Sequence, residues 1–266
     1  MSWILLTNDD GVDSPALVPF ARELERLGDV RVVVPDGERS WSGKAITRFE
    51  PIRTETIERD GIGMVTHTGT PADGVQLGVH TLYDDPPSLV VSGINLGFNH
   101  GAGYLWSSGT VGAAVEAWVS DVPSIALSTG AVEDWEAWRA RAHSDEAADD
   151  WHRLAVVGAQ LVEDLRSGPV GDFADVVSVN IPWDADRTSR RRVTRVARTG
   201  YDRLFGAVGG GVYVHDFGGG ITQRGAVPGN DVDAAHDGVI SITPLRMPAA
   251  AELPPEVVAG IERPAR

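Results

Sequence analysis

The sequence has no cysteine and a single lysine, Lys44, among its 266 residues. Without cysteine there is no disulfide framework, no thiol nucleophile and no thiolate metal site, so a bound metal must be held by oxygen or imidazole. It also lacks an apolar run approaching the roughly 20 residues of a membrane-spanning helix. The opening MSWILLTNDD shows neither a basic leader nor a small-residue cleavage site, which predicts a cytoplasmic protein with no membrane partner. Basic charge is scarce as well: 23 Lys and Arg face 38 Asp and Glu, a formal net of -15, which disfavours nucleic acid as a partner. The basic residues are 22 arginines and one lysine, and the acids are 24 Asp and 14 Glu. That bias predicts a halophilic surface, its self-repulsion screened over a Debye length of ~3 Å near 1 M salt. An ordinary acidic protein from an arginine-rich genome is the other reading.

What is present is an alternation of apolar runs and helical patterns. WILLT, VRVVVP, LVVSGIN, VPSIALS and DVVSVNIP read as strands covered on both faces. After the first, Ser14 and Pro15 are expected as N-cap and first helical residue, before Leu17, Phe20, Ala21, Leu24 and Leu27 recur at helical spacing. Thr70, Pro71 and Asp73 form a capping signature for a second helix, and Thr110 is a candidate cap for a third. This order predicts a doubly wound, mostly parallel α/β sheet. Residues 132–150 lack an apolar stripe and are expected to be a solvated insertion leading into a helix around Trp151, Leu154, Val157 and Leu161. A core over residues 1–185 is then followed by hairpin-like material, the GGG runs at 209–211 and 218–220, the strand VISITPL, and a proline-punctuated tail that is at most a short peripheral helix. Residues 186–266 are accordingly expected to form a smaller hairpin subdomain or oligomerisation arm.

Three loops carry the candidate chemistry. Asn8, Asp9 and Asp10 end the first strand, at the sheet edge where open α/β folds bind ligands. Two adjacent carboxylates there suit a hard divalent cation; capping of the following turn is the alternative. The loop PDGERSWSGKAIT offers Ser40 and Ser42 as hydroxyls for phosphate or metal, and Lys44 as a compact ammonium for phosphate. The third loop places Asn95 and Asn99 on a glycine-rich turn before Ser108, Gly109 and Thr110 open a helix. Asparagine carbonyls complement two aspartates without adding charge, and a helix N-terminus favours phosphate; left-handed turn positions are the other reading of the asparagines.

The motifs NDDG at 8–11, PDGERS at 35–40, GTPAD at 69–73, SGIN-x-G-x-N at 92–99, SGT-x-GAA-x-E at 108–116 and ISITPL at 240–245 occur together and in order. Over residues 3–247 the chain resembles the SurE-type survival-protein family of nucleotidases. The resemblance implies a Rossmann-like core and a metal-dependent phosphatase acting on nucleoside 5′- and 3′-monophosphates, in some members also on short polyphosphate. It further implies a homodimer or homotetramer built through C-terminal segments. Carried over by motif, Asp9, Asp10, Ser40 and Asn95 would hold one divalent ion per subunit, magnesium or manganese. Asn99, Ser108, Gly109 and Thr110 would surround the phosphate, with Gly43 nearby and Asn8 and Lys44 in the substrate-binding set. Ala102 and Gly103 stand where the family often has an acid.

Catalysis by Asp9 and Asp10 has two forms. Water attacks phosphorus directly with one carboxylate accepting its proton, or an aspartyl-phosphate forms. His100 is the one histidine placed to serve as a leaving-group acid. Trp41, Tyr104 and Trp106 either stack on a nucleobase or anchor loops, and Arg190, Arg191 and Arg192 either clamp phosphate or pair with surface acids. A nucleotide-binding or phospho-receiver module without turnover is the competing class.

Overall fold

The computed structural model describes residues 2–132, 134–167, 174–217 and 220–247, with 254, 255 and 258. A nine-stranded sheet runs in the order β3-β4-β2-β1-β5-β6-β7-β13-β8. Its parallel body is β1 (Trp3–Thr7), β2 (Asp29–Pro35), β4 (Ile62–His67), β5 (Leu89–Leu96), β6 (Ser124–Gly130) and β7 (Val176–Pro182). Every residue of β1, β5, β6 and β7 is buried, as expected of parallel strands with helices on both faces. Alternation along β1 sorts the core. Ile4 and Leu6 pack with Leu17, Phe20 and Leu24 of α1 (Leu17–Glu25) and Leu154 and Leu161 of α6 (Ala148–Arg166). Trp3 and Leu5 face the other way, against Val75 and Val79 of α2 (Pro71–His80) and Ala113 and Ala117 of α4 (Gly109–Val119). The result is a three-layer, doubly wound α/β fold.

The order in which strands are added reverses at β1. From there the chain winds one way to β2 and β4 and the other way to β5, β6 and β7, so the crevice beyond the ends of β1 and β5 is the topological switch point. At the far edge β13 (Ile240–Leu245) adds antiparallel to β7, and β8 (Arg191–Val193) adds parallel to β13. Outside the main sheet, β10 (Phe205–Gly209) and β11 (Val212–His215) make an antiparallel hairpin. Gly209, Gly210 and Gly211 turn it, each at positive φ, which explains the first GGG run. β9 (Thr199–Gly200) pairs with β12 (Thr222–Gln223). Gly218 and Gly219 of the second run, and most of the tail after Met247, lie outside the described residues.

Several local expectations need correction. α1 begins at Leu17 with Ala16 as its N-cap and no side-chain cap, because Ser14 is held in the preceding turns, its N–H on Gly11 O at 3.2 Å and its carbonyl accepting Leu17 N at 3.1 Å. α2 keeps its capping box, with Thr70 and Asp73 reciprocally bonded. α4 is capped by Ser108, whose hydroxyl accepts from Val111 N at 3.0 Å, while Thr110 sits inside the helix. The stretch 132–150 is not simply solvated: α5 (Trp135–Ala142) buries Trp138 and Ala142 on one face. Trp138 meets Trp183 edge-on at 5.5 Å, and Trp151 meets it at 4.9 Å. Only two positions of α5 point inward, too few to make a stripe legible. The hairpin of β3 (Thr54–Arg59) with β4 and the short α3 (Gly101–Ser107) were not legible in the sequence pattern.

Candidate functional site

The site begins where β1 ends. Asn8 closes the turn by accepting from Gly11 N at 3.1 Å and donating to Gly11 O at 3.0 Å. Gly11 has φ +82, and a Cβ there would lie 2.5 Å from the Gly37 backbone, so only glycine lets the first and second loops touch. Within this turn Asp9 is buried and Asp10 partly so. Asp9 Oδ1 accepts the Thr110 hydroxyl at 2.6 Å, and Asp10 Oδ2 accepts Leu96 N at 3.0 Å. Each carboxylate thus links β1 to a different neighbour, α4 and β5.

These two acids are held at an electrostatic cost. Burial pushes Asp9 up to about 6 despite the pull of the Thr110 hydroxyl and nearby N–H groups. Burial, then the neighbouring Asp9 charge, pushes Asp10 well above the usual carboxylate range. Desolvation disfavours the charged forms, and two adjacent charges disfavour each other.

The α4 N-terminus closes the crevice opposite. The first N–H groups of a helix have no intrahelical acceptor and carry partial positive charge, and here they belong to Gly109 and Thr110. A Cβ on Gly109 would stand 2.7 Å from Ser42 Oγ and 2.8 Å from Asp9 Cβ. That residue must therefore be glycine for the second loop, β1 and α4 to converge. Thr110 Oγ1 also receives Asn99 Nδ2 at 3.4 Å, and Asn99 donates to Ser128 Oγ at 2.7 Å. A chain of hydrogen bonds runs from Ser128 through Asn99 and Thr110 to Asp9. Asn99 is further fixed by its own N–H on Asn180 Oδ1 at 2.8 Å. Asn95 donates to Gly97 O at 2.6 Å, and its carbonyl oxygen accepts no bond among the described residues.

The structure thus brings Asn8, Asp9, Asp10, Asn95, Asn99, Ser108, Gly109 and Thr110 to one edge. The second loop divides. Gly43 lies against α4, its N–H on Ser107 O at 3.0 Å. Ser40 is exposed and donates to Glu38 Oε1 at 2.7 Å. The hydroxyl beside Asp9 and Gly109 is Ser42, whose buried Oγ has no hydrogen-bond partner among the described residues. Lys44, expected on phosphate, is paired instead with Glu116 on α4. Glu116 is seven residues past Gly109, about 10 Å along a helix. The sequence reading contained Glu116 in a motif but gave it no task, and it passed over Gln76, Ser128 and Asn180.

Other candidates pack against neighbours of their own or stand exposed. Trp41 packs edge-on against Tyr104, Tyr201 and Phe217 and tilted against His215, at 5.0–6.0 Å, joining the second loop to the β10–β11 arm. Trp106 is 57% exposed. His100 is buried and stacked on Phe98 at 5.1 Å, and burial holds its pKa down against the pull of Asp231. Arg191 and Arg192 pair with Asp164 at 2.6 Å and Asp237 at 3.1 Å, the surface-pairing alternative. Asn230 caps α7 (Asp231–His236), and Asp231 accepts Gly101 N, Ala197 N and Val232 N at 2.8–3.0 Å, a structural role.

The fold and edge can be set beside known proteins. The crystal structure of the SurE protein from Aquifex aeolicus superposes with a TM-score of 0.71 at 30% identity, covering 97% of this chain and 98% of that one. The 5′-nucleotidase SurE of Methanopyrus kandleri is 37% identical over 94% of this chain and 93% of its own length. That of Methanocella arvoryzae is 35% identical over 92% and 91%. The family model described as Survival protein SurE matches residues 4–203. With the strand-end acids, the asparagine turn and the α4 N-terminus all in the matched span, this chain belongs to the SurE family.

Proposed function

We propose that this protein is a phosphomonoesterase that hydrolyses nucleoside 5′- and 3′-monophosphates to nucleoside and phosphate, dependent on one divalent ion, magnesium or manganese, per subunit. The observation that carries it is the adjacent pair Asp9 and Asp10, both pushed up by burial, with Asp9 lying against the N-terminus of α4. Relatives named 5′-nucleotidase SurE that match nearly the whole chain support the substrate class.

The donor set fits a hard cation. Among the described residues no three His, Cys, Asp or Glu side chains cluster as metal ligands, so Asp9 and Asp10 would be completed by neutral oxygens. Asn95 has a free carbonyl oxygen, the orphaned Ser42 Oγ lies against Asp9 and Gly109, and Ser40 is on the same exposed turn. We assign Asp9, Asp10, Asn95 and Ser40 to the ion, with Ser42 as the second hydroxyl in reach of the edge. When bound, the ion supplies charge neutralisation for the phosphoryl group.

The protein's own groups do the rest. Gly109 and Thr110 N–H groups face the phosphate, Asn99 and Ser108 fix the turn beneath it, and Gly43 keeps the second loop's backbone close. Thr110 holds Asp9, and Leu96 N–H holds Asp10, so either carboxylate is set to accept a proton from attacking water. The arm within residues 186–266 exposes Phe205, Val208, Val212 and Tyr213, and we assign it to pairing copies into a dimer or tetramer. Among the described residues no helix is long and apolar enough to cross a membrane, and the acidic surface fits a cytoplasm rich in salt.

The test is phosphate release from a panel of nucleoside 5′- and 3′-monophosphates in concentrated KCl, after chelation and readdition of magnesium or manganese. Turnover restored by the ion and absent in Asp10→Asn is expected. Nucleotide binding without phosphate release by the folded, ion-loaded protein would overturn the assignment in favour of a regulatory module.

A further inference from the structure

We infer that Lys44 and Glu116 form a latch that positions the second loop over the carboxylate edge, making Lys44 a positioning residue for the reaction. The inference rests on the reading of that edge as the phosphoesterase site. It answers why one lysine persists in a chain with 22 arginines.

The Glu116 side chain is 3% exposed, and its partner Lys44 comes from the loop, not from the helices around it. Its Oε1 takes the amide of Gln76 on α2, which also reaches Ser120 Oγ at 3.3 Å. With one oxygen committed to Gln76, Oε2 faces the loop, where Lys44 Nζ meets it as an ion pair without hydrogen-bond geometry. An ammonium on an unbranched stem satisfies a single acceptor, whereas a guanidinium fork is built for two. A buried carboxylate stripped of its cation is strongly unfavourable, so Glu116 holds the loop down.

The rest of the loop is arranged around this tie. Arg39 N donates to Asp9 O at 2.7 Å and Gly43 N to Ser107 O at 3.0 Å. Gly43 takes φ +53, and a Cβ on Gly112 would collide with the Gly43 carbonyl, so the loop backbone lies flat on α4. Further on, Thr47 binds Asp73 through N–H at 3.0 Å and hydroxyl at 2.6 Å, and Thr70 donates to Ala45 O at 2.6 Å. Between the pins at 39 and 43–47 span Ser40, Trp41 and Ser42, of which Ser42 lies against Asp9 and Gly109. Lys44 supplies the charged pin beside that span.

The experiment compares Lys44→Met, Glu116→Gln, the double variant and Lys44→Arg in the full chain, reading Tm, amide hydrogen exchange over residues 39–45, and KM against kcat. Lys44→Met strands the buried charge and lowers Tm; the double variant removes that charge and restores Tm. In the double variant and in Glu116→Gln, loop exchange is expected to quicken, and kcat/KM to fall about tenfold, equivalent to about 1.4 kcal/mol, mainly through KM. Lys44→Arg is expected to leave the loop loose. Loop exchange matching the parent in both Glu116→Gln and the double variant would overturn the latch. So would a raised KM in Lys44→Met with unchanged exchange and rescue by Lys44→Arg, the signature of a direct phosphate contact. Absence of phosphate release by the parent would refute the phosphoesterase reading and leave the exchange result standing as evidence on the latch alone.

Discussion

The Asp9–Asp10 edge and the Asp231 corner bury carboxylates under opposite terms. Asp231 receives three backbone N–H groups at 2.8–3.0 Å, tying α3, the 197 segment and α7 together. Asp9 receives the Thr110 hydroxyl with a weaker pull from the Asp9 and Thr110 N–H groups, Asp10 receives the Leu96 amide, and burial outweighs these and drives both pKa values up. A buried acid used as a structural tie is saturated with donors. Acids kept short of donors at a topological switch point are left for a charge brought from outside.

The sharpest way to break this contrast is to substitute one acid at each place. Asp9→Asn is expected to lower kcat/KM by about 10²–10³-fold while the chelated protein keeps or gains thermal stability, because a buried charge is removed. Asp231→Ala is expected to lose about 2–4 kcal/mol in urea unfolding, since three buried N–H groups are orphaned. If Asp9→Asn proved as destabilising as Asp231→Ala, the edge would be a structural tie like the corner.

A buried imidazole sharpens the comparison from the opposite charge. His67, at the end of β4, has no hydrogen-bond partner on either ring nitrogen among the described residues, and burial lowers its pKa to about 4 against the pull of Asp73 and Asp36. Since the folded value lies below the ordinary 6.5, the unfolded chain takes up the proton first as pH falls. The stabilisation is complete above pH 6.5 and is lost on descending toward 4, by about 3 kcal/mol. Urea titrations of the parent and His67→Gln across that window are expected to differ in slope there and to run parallel above it. The smallest effect belongs to the surface: Arg191→Ala and Arg192→Ala are each expected to change stability by less than about 1 kcal/mol and to leave KM unaltered. A rise in KM would return them to the phosphate.

Much of the site was legible because its residues sit at ends of strands that are buried on both faces. The runs at β1, β5, β6 and β7 are rich in apolar residues, Asn8, Asp9 and Asp10 follow β1 directly, and Asn95 lies near the end of β5. β3 escaped notice because it is a sheet-edge strand, mostly exposed, and α3 because its glycines read as a turn. The pairing of Lys44 with Glu116 was not legible for a different reason. Its position in the loop is local information, but the buried acid it meets is 72 residues away in sequence. Likewise, Ser108 rather than Thr110 caps α4 because Thr110 is drawn to Asp9, 101 residues distant. Periodicity locates elements; which of two adjacent hydroxyls caps and which reaches a carboxylate is settled by packing across the sheet.

The most direct test of the central contrast is the melting temperature of the chelated protein titrated with magnesium or manganese at pH 7.5, for the parent and Asp9→Asn. A ligand that binds only the folded state stabilises it in proportion to the logarithm of its excess over Kd. The account predicts a Tm that climbs with ion concentration in the parent and stays flat in Asp9→Asn. A flat parent curve, or an equal climb in both proteins, would contradict it.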